Sequence, residues 1–389
     1  MTRAFGLLAL GACANVPDPP DFGPDLVSVT RAAGGLTVRG PLTVANQPLF
    51  EMSFPSTTEG VPMHDSLKVG DRETLRLAPD GCNSESRIGV ALFPAGVAVS
   101  GALDPALTVA DAGLETLVEA PGMVKVSVTY AVDYTCPDPE TLSGQTVFTF
   151  FPSGRIVRQD LNIKPSTDPL DPGGQAITCG CAPAEVPRFF FTSFYAFDDA
   201  GVQLDANDTM PPADNTTKEA CTMFETHGVG VSWPTPNVRY RPNAAASHVF
   251  DFEANASTVS NAPRTVTSAI QVHDGPHTSG TCAQVLAQLA DLPIRIGDER
   301  LLMTANDGIY RPTKPHASET EIRPDGTAIP GSFAVSINLG GARHADVYRE
   351  PDRADFYRIH RDPETPGNFV FVFLDGLEEG ESITIEPQS

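Results

Sequence analysis

The chain of 389 residues is too long for one small domain and has a globular composition, 41% hydrophobic and 19% charged. Its 36 prolines and 33 glycines favour short strands and tight turns over long helices. A formal net charge of −23, with five lysines against twenty-one arginines, argues against a nucleic-acid partner, and against anionic membranes except through a covalent anchor.

In chain order, Met1-Thr2-Arg3 is a short positive region, and residues 4–12 are an apolar stretch too short to span a bilayer. The stretch ends in Leu10-Gly11-Ala12-Cys13, which resembles the lipobox of bacterial lipoproteins. That resemblance implies a signal peptide over 1–12, a lipid on Cys13 and export to a bacterial cell envelope. Ala14 and Asn15 follow the cysteine, without the Asp that resembles an inner-membrane retention signal, which points to the outer membrane. Two or more acyl chains give stable anchoring. Residues 13–25 read as a proline-stiffened tether.

Lipidation of Cys13 leaves six cysteines, Cys82, Cys136, Cys179, Cys181, Cys221 and Cys282. An even number in an oxidising compartment implies up to three disulfides. Cys82 and Cys136 stand apart and are expected to pair. Cys179 and Cys181 are expected to pair with Cys221 and Cys282, in either order. A zinc site built from these four lacks the second close pair that structural zinc prefers.

Almost every periodic stretch has period two. Val124, Val126, Val128, Tyr130 and Val132 alternate with Lys125, Ser127, Thr129 and Ala131, predicting a half-buried antiparallel strand. Strands over 146–151 and 155–163 flank Pro152-Ser153-Gly154, a hairpin turn, and strands over 189–197 and 202–204 flank another. Further strands are expected at 36–39, 49–54, 87–93, 249–254, 265–272, 333–339, 369–374 and 382–385. The stretch 369–374 is apolar on both faces and should be central. One helix is expected over 282–291, stopped by Pro293. The reading is therefore all-β: a large antiparallel β-sandwich over 26–292, then a smaller immunoglobulin-like sandwich over 293–389.

The strand 124–132, followed by Thr146-Val-Phe-Thr-Phe-Phe-Pro-Ser-Gly-Arg-Ile-Val-Arg158, resembles the long hairpins of the galactose-mutarotase-like β-supersandwich. The resemblance covers about a tenth of the chain and implies a supersandwich form for the larger unit, and carbohydrate as a ligand class.

Nucleotide-binding loops, the Gly-x-Ser-x-Gly elbow and the His-Glu-x-x-His motif are absent from the sequence, so it offers no support for a cofactor. The most suggestive constellation runs from Met223 to Trp233. As one strand it would set Glu225, His227 and Trp233 on one face, an acid–base pair beside an aromatic ring suited to a sugar. The plainer reading is a core tryptophan with Glu225 and His227 at a wet edge. His273-Asp274-Gly275-Pro276-His277 reads as a surface turn with incidental histidines, and as a metal site only secondarily. The acidic stretch 198–225, with Asp198, Asp199, Asp205, Asp208, Asp214, Glu219 and Glu225, reads as a solvated loop rather than a calcium site. Arg343, Arg349, Arg353, Arg358 and Arg361, interleaved with acids, predict cross-strand ion pairs.

With no catalytic signature standing alone, the sequence reads first as a lipid-anchored envelope protein that binds a glycan, a wall component or another envelope protein. The alternative is a mutarotase- or lyase-like carbohydrate-active enzyme working through Glu225 and His227.

Overall fold

The computed structural model describes residues 27–54, 66–76, 91–92, 97–98, 107–120, 122–134, 140–163, 207–210, 219–232, 238–242, 250–254, 264–290, 292–302, 307–342, 344–350, 354–355 and 359–388. The first strands are β1 (Ser28–Ala32), β2 (Gly35–Arg39), β3 (Phe50–Phe54), β4 (Ser66–Val69) and β5 (Arg72–Arg76), paired in that order as a five-stranded antiparallel meander. A short ribbon of β6 (Ala91–Leu92) and β7 (Val97–Ala98) follows. Four long strands come next: β8 (Leu107–Ala120), β9 (Met123–Tyr134), β10 (Glu140–Phe150) and β11 (Arg155–Ile163).

Then come β12 (Asp208–Met210), β13 (Glu219–Met223) and β14 (His227–Ser232). A second ribbon, β15 (Val238–Pro242) with β16 (Phe250–Ala254), precedes β17 (Arg264–Asp274). Eight of these strands form one antiparallel sheet, in the order β12-β13-β14-β17-β11-β10-β9-β8. The helix α1 (Thr281–Leu289) leads into the C-terminal strands.

These are β18 (Pro293–Ile296), β19 (Glu299–Leu302), β20 (Ile309–Tyr310), β21 (Thr320–Pro324), β22 (Ile329–Asn338) and β23 (His344–Glu350), then β24 (Ala354–Asp355), β25 (Ile359–Arg361), β26 (Phe369–Leu377) and β27 (Ser382–Gln388). They pair as a six-stranded sheet, β19-β18-β21-β27-β23-β24, and a four-stranded sheet, β20-β22-β26-β25. Among the described strands, none before Pro293 shares a sheet with one after it. The protein is all-β, with one helix among the described residues.

Three apolar layers stack these sheets. Phe50, Met52 and Phe54 alternate with half-buried neighbours along β3 and meet Val124, Val126, Phe148, Phe150 and Ile270 of the eight-stranded sheet. The rings of Phe54 and Phe148 pack edge to face with centroids 5.3 Å apart. The opposite face of that sheet carries Met123, Val157 and Met223, which meet Val285 and Leu286 of α1 and Phe371 and Phe373 of β26. The other side of β26, Val370, Val372 and Leu374, closes a third core with Ile294, Ile322, Ile383 and Ile385 of the six-stranded sheet. The expected central position of 369–374 is observed, and its apolar character on both faces has this cause.

The strand expected over 124–132 differs in one respect. Lys125 and Ser127 are expected on its wet face, yet both are buried, Lys125 against Glu364 of the C-terminal part. Lys125 Nζ donates to both carboxylate oxygens of Glu364, at 2.8 and 2.6 Å. The hairpin at Pro152-Ser153-Gly154 joins β10 to β11 as expected, with Gly154 at φ +82° and its N–H on the Phe151 carbonyl at 3.1 Å. The helix expected over 282–291 occupies Thr281–Leu289, and the second expected hairpin, 189–204, lies outside the described residues. Of the C-terminal arginines, Arg349 lies 3.9 Å from Glu381 and Arg361 is exposed, while Arg343, Arg353 and Arg358 lie outside the described residues.

The seam between the sandwiches tolerates little change. A Cβ on Gly122 would sit 2.5 Å from the Phe373 side chain. Gly122→Ala should cost about 1–3 kcal/mol through overpacking. Phe373→Ala should cost about 3–5 kcal/mol through the cavity it leaves. Urea unfolding of the two variants checks both values.

Candidate functional site

The stretch 223–233 is not one strand. β13 ends at Met223, the chain turns through Phe224, Glu225 and Thr226, and β14 begins at His227, with Met223 paired to Gly228. Phe224 is fully buried and anchors the turn, leaving Glu225 exposed at its tip. Alternation along one strand therefore does not align Glu225 with His227. Trp233 lies outside the described residues.

What the fold brings to this tip is the other histidine-bearing stretch. His227 stands opposite Asp274 in the β14–β17 register, and Gly228 opposite His273. Directly opposed residues have Cβ atoms about 4.5–5.5 Å apart on one face. The N–H of Gly275 donates to the Thr226 carbonyl, and that of His277 to the Glu225 carbonyl at 3.0 Å. Two backbone hydrogen bonds thus fasten the tip to the loop after β17. Glu225, His227, His273, Asp274 and His277, read as two unrelated groups in the sequence, share one end of the eight-stranded sheet.

The turn is exposed at Pro276 but buries one of its histidines. His277 is 4% exposed and its ring centroid lies 5.0 Å from that of half-buried His273. Both ring nitrogens of His277, and Nδ1 of His273, have no hydrogen-bond partner among the described residues. Burial, reinforced by the neighbouring His273, pushes His277 down to about pKa 4. Burial also lowers His273, and Asp274 opposes that shift. Burial thus favours the neutral form of both rings.

Asp208 has a definite task. Its Oδ2 accepts the N–H groups of Gly280 (3.1 Å) and Cys282 (2.8 Å), which are free at the start of α1. The helix lacks a side-chain cap of its own, so a residue some 70 positions upstream supplies one. Cys282 is also bonded to Cys221 of β13, with Cα atoms 5.5 Å apart. This corrects the expected pairing of Cys221 and Cys282 with Cys179 and Cys181: α1 lies across β13, which puts the two cysteines in reach of each other. Cys82, Cys136, Cys179 and Cys181 lie outside the described residues, as do Cys13 and the tether. Among the described residues no cluster of three or more His, Cys, Asp or Glu is placed to hold a metal ion.

A groove of about 500 Å³ also opens between the β1–β2 turn and β8, lined by Gly34, Leu36, Leu114 and Thr116. Its Arg31 is engaged by Thr116 at 3.0 Å and Glu119 at 2.5 Å, and it has no aromatic wall. It has no histidine among its lining residues.

Removing the Cys221–Cys282 bond by a double Ser substitution should cost about 2–4 kcal/mol. Asp208→Ala should cost about 1 kcal/mol, whereas Asp208→Asn, which keeps an acceptor, should cost a few tenths at most. Thermal unfolding monitored by circular dichroism separates the three.

No family model matches the chain, and no curated protein matches it. Among solved structures it is weakly similar to the heparan sulfate lyase HepC from Pedobacter heparinus, with TM-score 0.33 and 12% identity over 77% of this chain and 41% of the lyase. The chain thus spans less than half the length of that lyase. It is also weakly similar to galactose 1-epimerase from Lactobacillus acidophilus NCFM, with TM-score 0.30 and 7% identity over 64% of this chain and 98% of the epimerase.

Proposed function

We propose that this protein is a lipid-anchored component of a bacterial cell envelope, held in the outer membrane through Cys13, whose β-sandwich binds a carbohydrate at the end of the eight-stranded sheet. The observation that carries the binding reading is that the β13–β14 tip and the loop after β17, fastened to each other, gather Glu225, His227, His273, Asp274 and His277 at one end of the eight-stranded sheet. Carboxylates accept hydrogen bonds from sugar hydroxyls, and imidazoles both donate and accept. Trp233 directly follows β14 in sequence, and an indole is the kind of ring on which a sugar stacks. The anchor rests on Leu10-Gly11-Ala12-Cys13 alone.

A catalytic version of the same site, mutarotase- or lyase-like, is favoured by the register that sets His227 opposite Asp274. An acid and an imidazole at opposed positions of neighbouring strands are the residue types that general acid–base work uses.

Binding is tested by calorimetry against a panel of neutral and acidic oligosaccharides. The wild type should bind at least one, and Glu225→Gln combined with Asp274→Asn should weaken it at least tenfold with an unchanged melting temperature. Trp233→Ala should do the same. Absence of binding across the panel would sink the reading, and a large stability loss in Trp233→Ala would return that residue to the core. Anomer interconversion followed by polarimetry, and unsaturated products followed by ultraviolet absorbance, distinguish a catalyst from a binder. For the anchor, Cys13→Ser should move the exported protein to the soluble fraction, and retention of the variant in membranes would refute lipidation.

A further inference from the structure

We propose that the His273–His277 pair is an acid-sensitive latch: it holds the β13–β14 tip against the sheet while both rings are neutral and releases it when they take up protons. The inference rests on the site proposed above only for its consequence, since the latch itself is a matter of packing. Three observations carry it. The two rings are neighbours, 5.0 Å apart, and His277 is buried with neither nitrogen hydrogen-bonded among the described residues. The residues that bear the rings also supply the fastening, through the N–H groups of Gly275 and His277 on the carbonyls of Thr226 and Glu225. The fastened segment carries Glu225 at its tip and His227 at the start of β14.

A buried imidazole without a partner is tolerated only in its neutral form, because a desolvated charge without compensation is expensive. Two such rings side by side repel once both are charged. The surrounding groups do not cancel this. From β12, Asp208 faces His277 but is already committed to the α1 amides. From β17, Asp274 favours charging of His273, yet burial outweighs it. The N-terminal end of α1, which lies against Asp208, carries the positive end of the helix dipole and disfavours further positive charge. From the β13–β14 turn, Glu225 is exposed to solvent.

The sign follows from linkage. Both folded-state values are depressed below the ordinary 6.5, so the stabilisation is complete above that pH. It is lost as the pH falls from 6.5 toward 4, where His277 titrates in place. Opening exposes the rings, so acid favours the open tip.

Hydrogen exchange of the full chain, corrected for intrinsic rates and read at the Gly275 and His277 amides, tests this between pH 7.5 and 4.5. Protection there should fall roughly 50-fold in the wild type while β9 and β10 stay protected, as expected for one group shifted from 6.5 to about 4. His277→Gln and His273→Gln should each flatten the dependence, and one of them suffices if the other fails to fold. A flat wild-type profile would overturn the latch. So would an unchanged acid response in a folded variant, which would assign it to the carboxylates. Because the readout needs no sugar, absence of glycan binding at every pH would refute the proposed function and leave the latch standing.

Discussion

The rings of Phe371 and Phe373, with centroids 6.0 Å apart, fill the seam between the eight-stranded and four-stranded sheets, and the rest of the molecule depends on that contact. An antiparallel sheet with one wet face reads as strict alternation, and one covered on both faces does not. Here the five-stranded meander covers one side of the large sheet, and β26 with α1 covers the other. Each aromatic in such a seam buries on the order of 150–250 Å². The two sandwiches are thereby one packed body rather than units joined by a linker. The helix that closes the sheet end is held in the same layer.

Polar groups in the seam set how the sandwiches meet. In the Lys125–Glu364 pair the lysine is buried while the carboxylate keeps contact with water, and such a pair adds little net stability. Its value lies in direction, because a misplaced sandwich would leave Lys125 buried and unmatched. Ser332 does similar work. Its hydroxyl accepts the Ser153 N–H at 3.1 Å and donates to Asp375 at 3.1 Å, tying the β10–β11 turn to the four-stranded sheet. Gln271 holds the same turn through the Ser153 carbonyl at 2.6 Å. Apolar area drives the association, and these bonds choose its register.

Much of the fold was legible because period two and turn chemistry are local signals. Pro152-Ser153-Gly154 announces its hairpin, and 369–374 announces a strand covered twice. Burial of Lys125 was not legible, since the residues that cover it come more than 200 positions later. The site was half legible. Glu225 and His227 stood out by residue type, but a turn made of Phe224, Glu225 and Thr226 contains no Gly, Pro, Asn or Asp to mark it. Alternation across such a turn looks like one continuous strand. The nearness of His273 and His277 to that tip is a matter of tertiary register. The pairing of Cys221 with Cys282 follows from where α1 lands, which a count of cysteines does not contain.

The order of strands in the large sheet has a consequence for how the molecule is made. β8 to β11 are sequential neighbours and can assemble as they emerge, each closing only a short connection. β17 instead inserts between β11 and β14, with Arg155 opposite Gln271, so it closes a loop of about 100 residues. Contacts of such separation form late, because chain entropy must be lost before they return any energy. Until β17 arrives, β14 has no neighbour on that side, and the loop bearing His273 and His277 has nothing to dock against. The half of the sheet that carries the candidate site is therefore the last to acquire its shape. A chain interrupted before residue 264 would keep Glu225 and His227 but lack β17 and the histidine loop to which their tip is fastened.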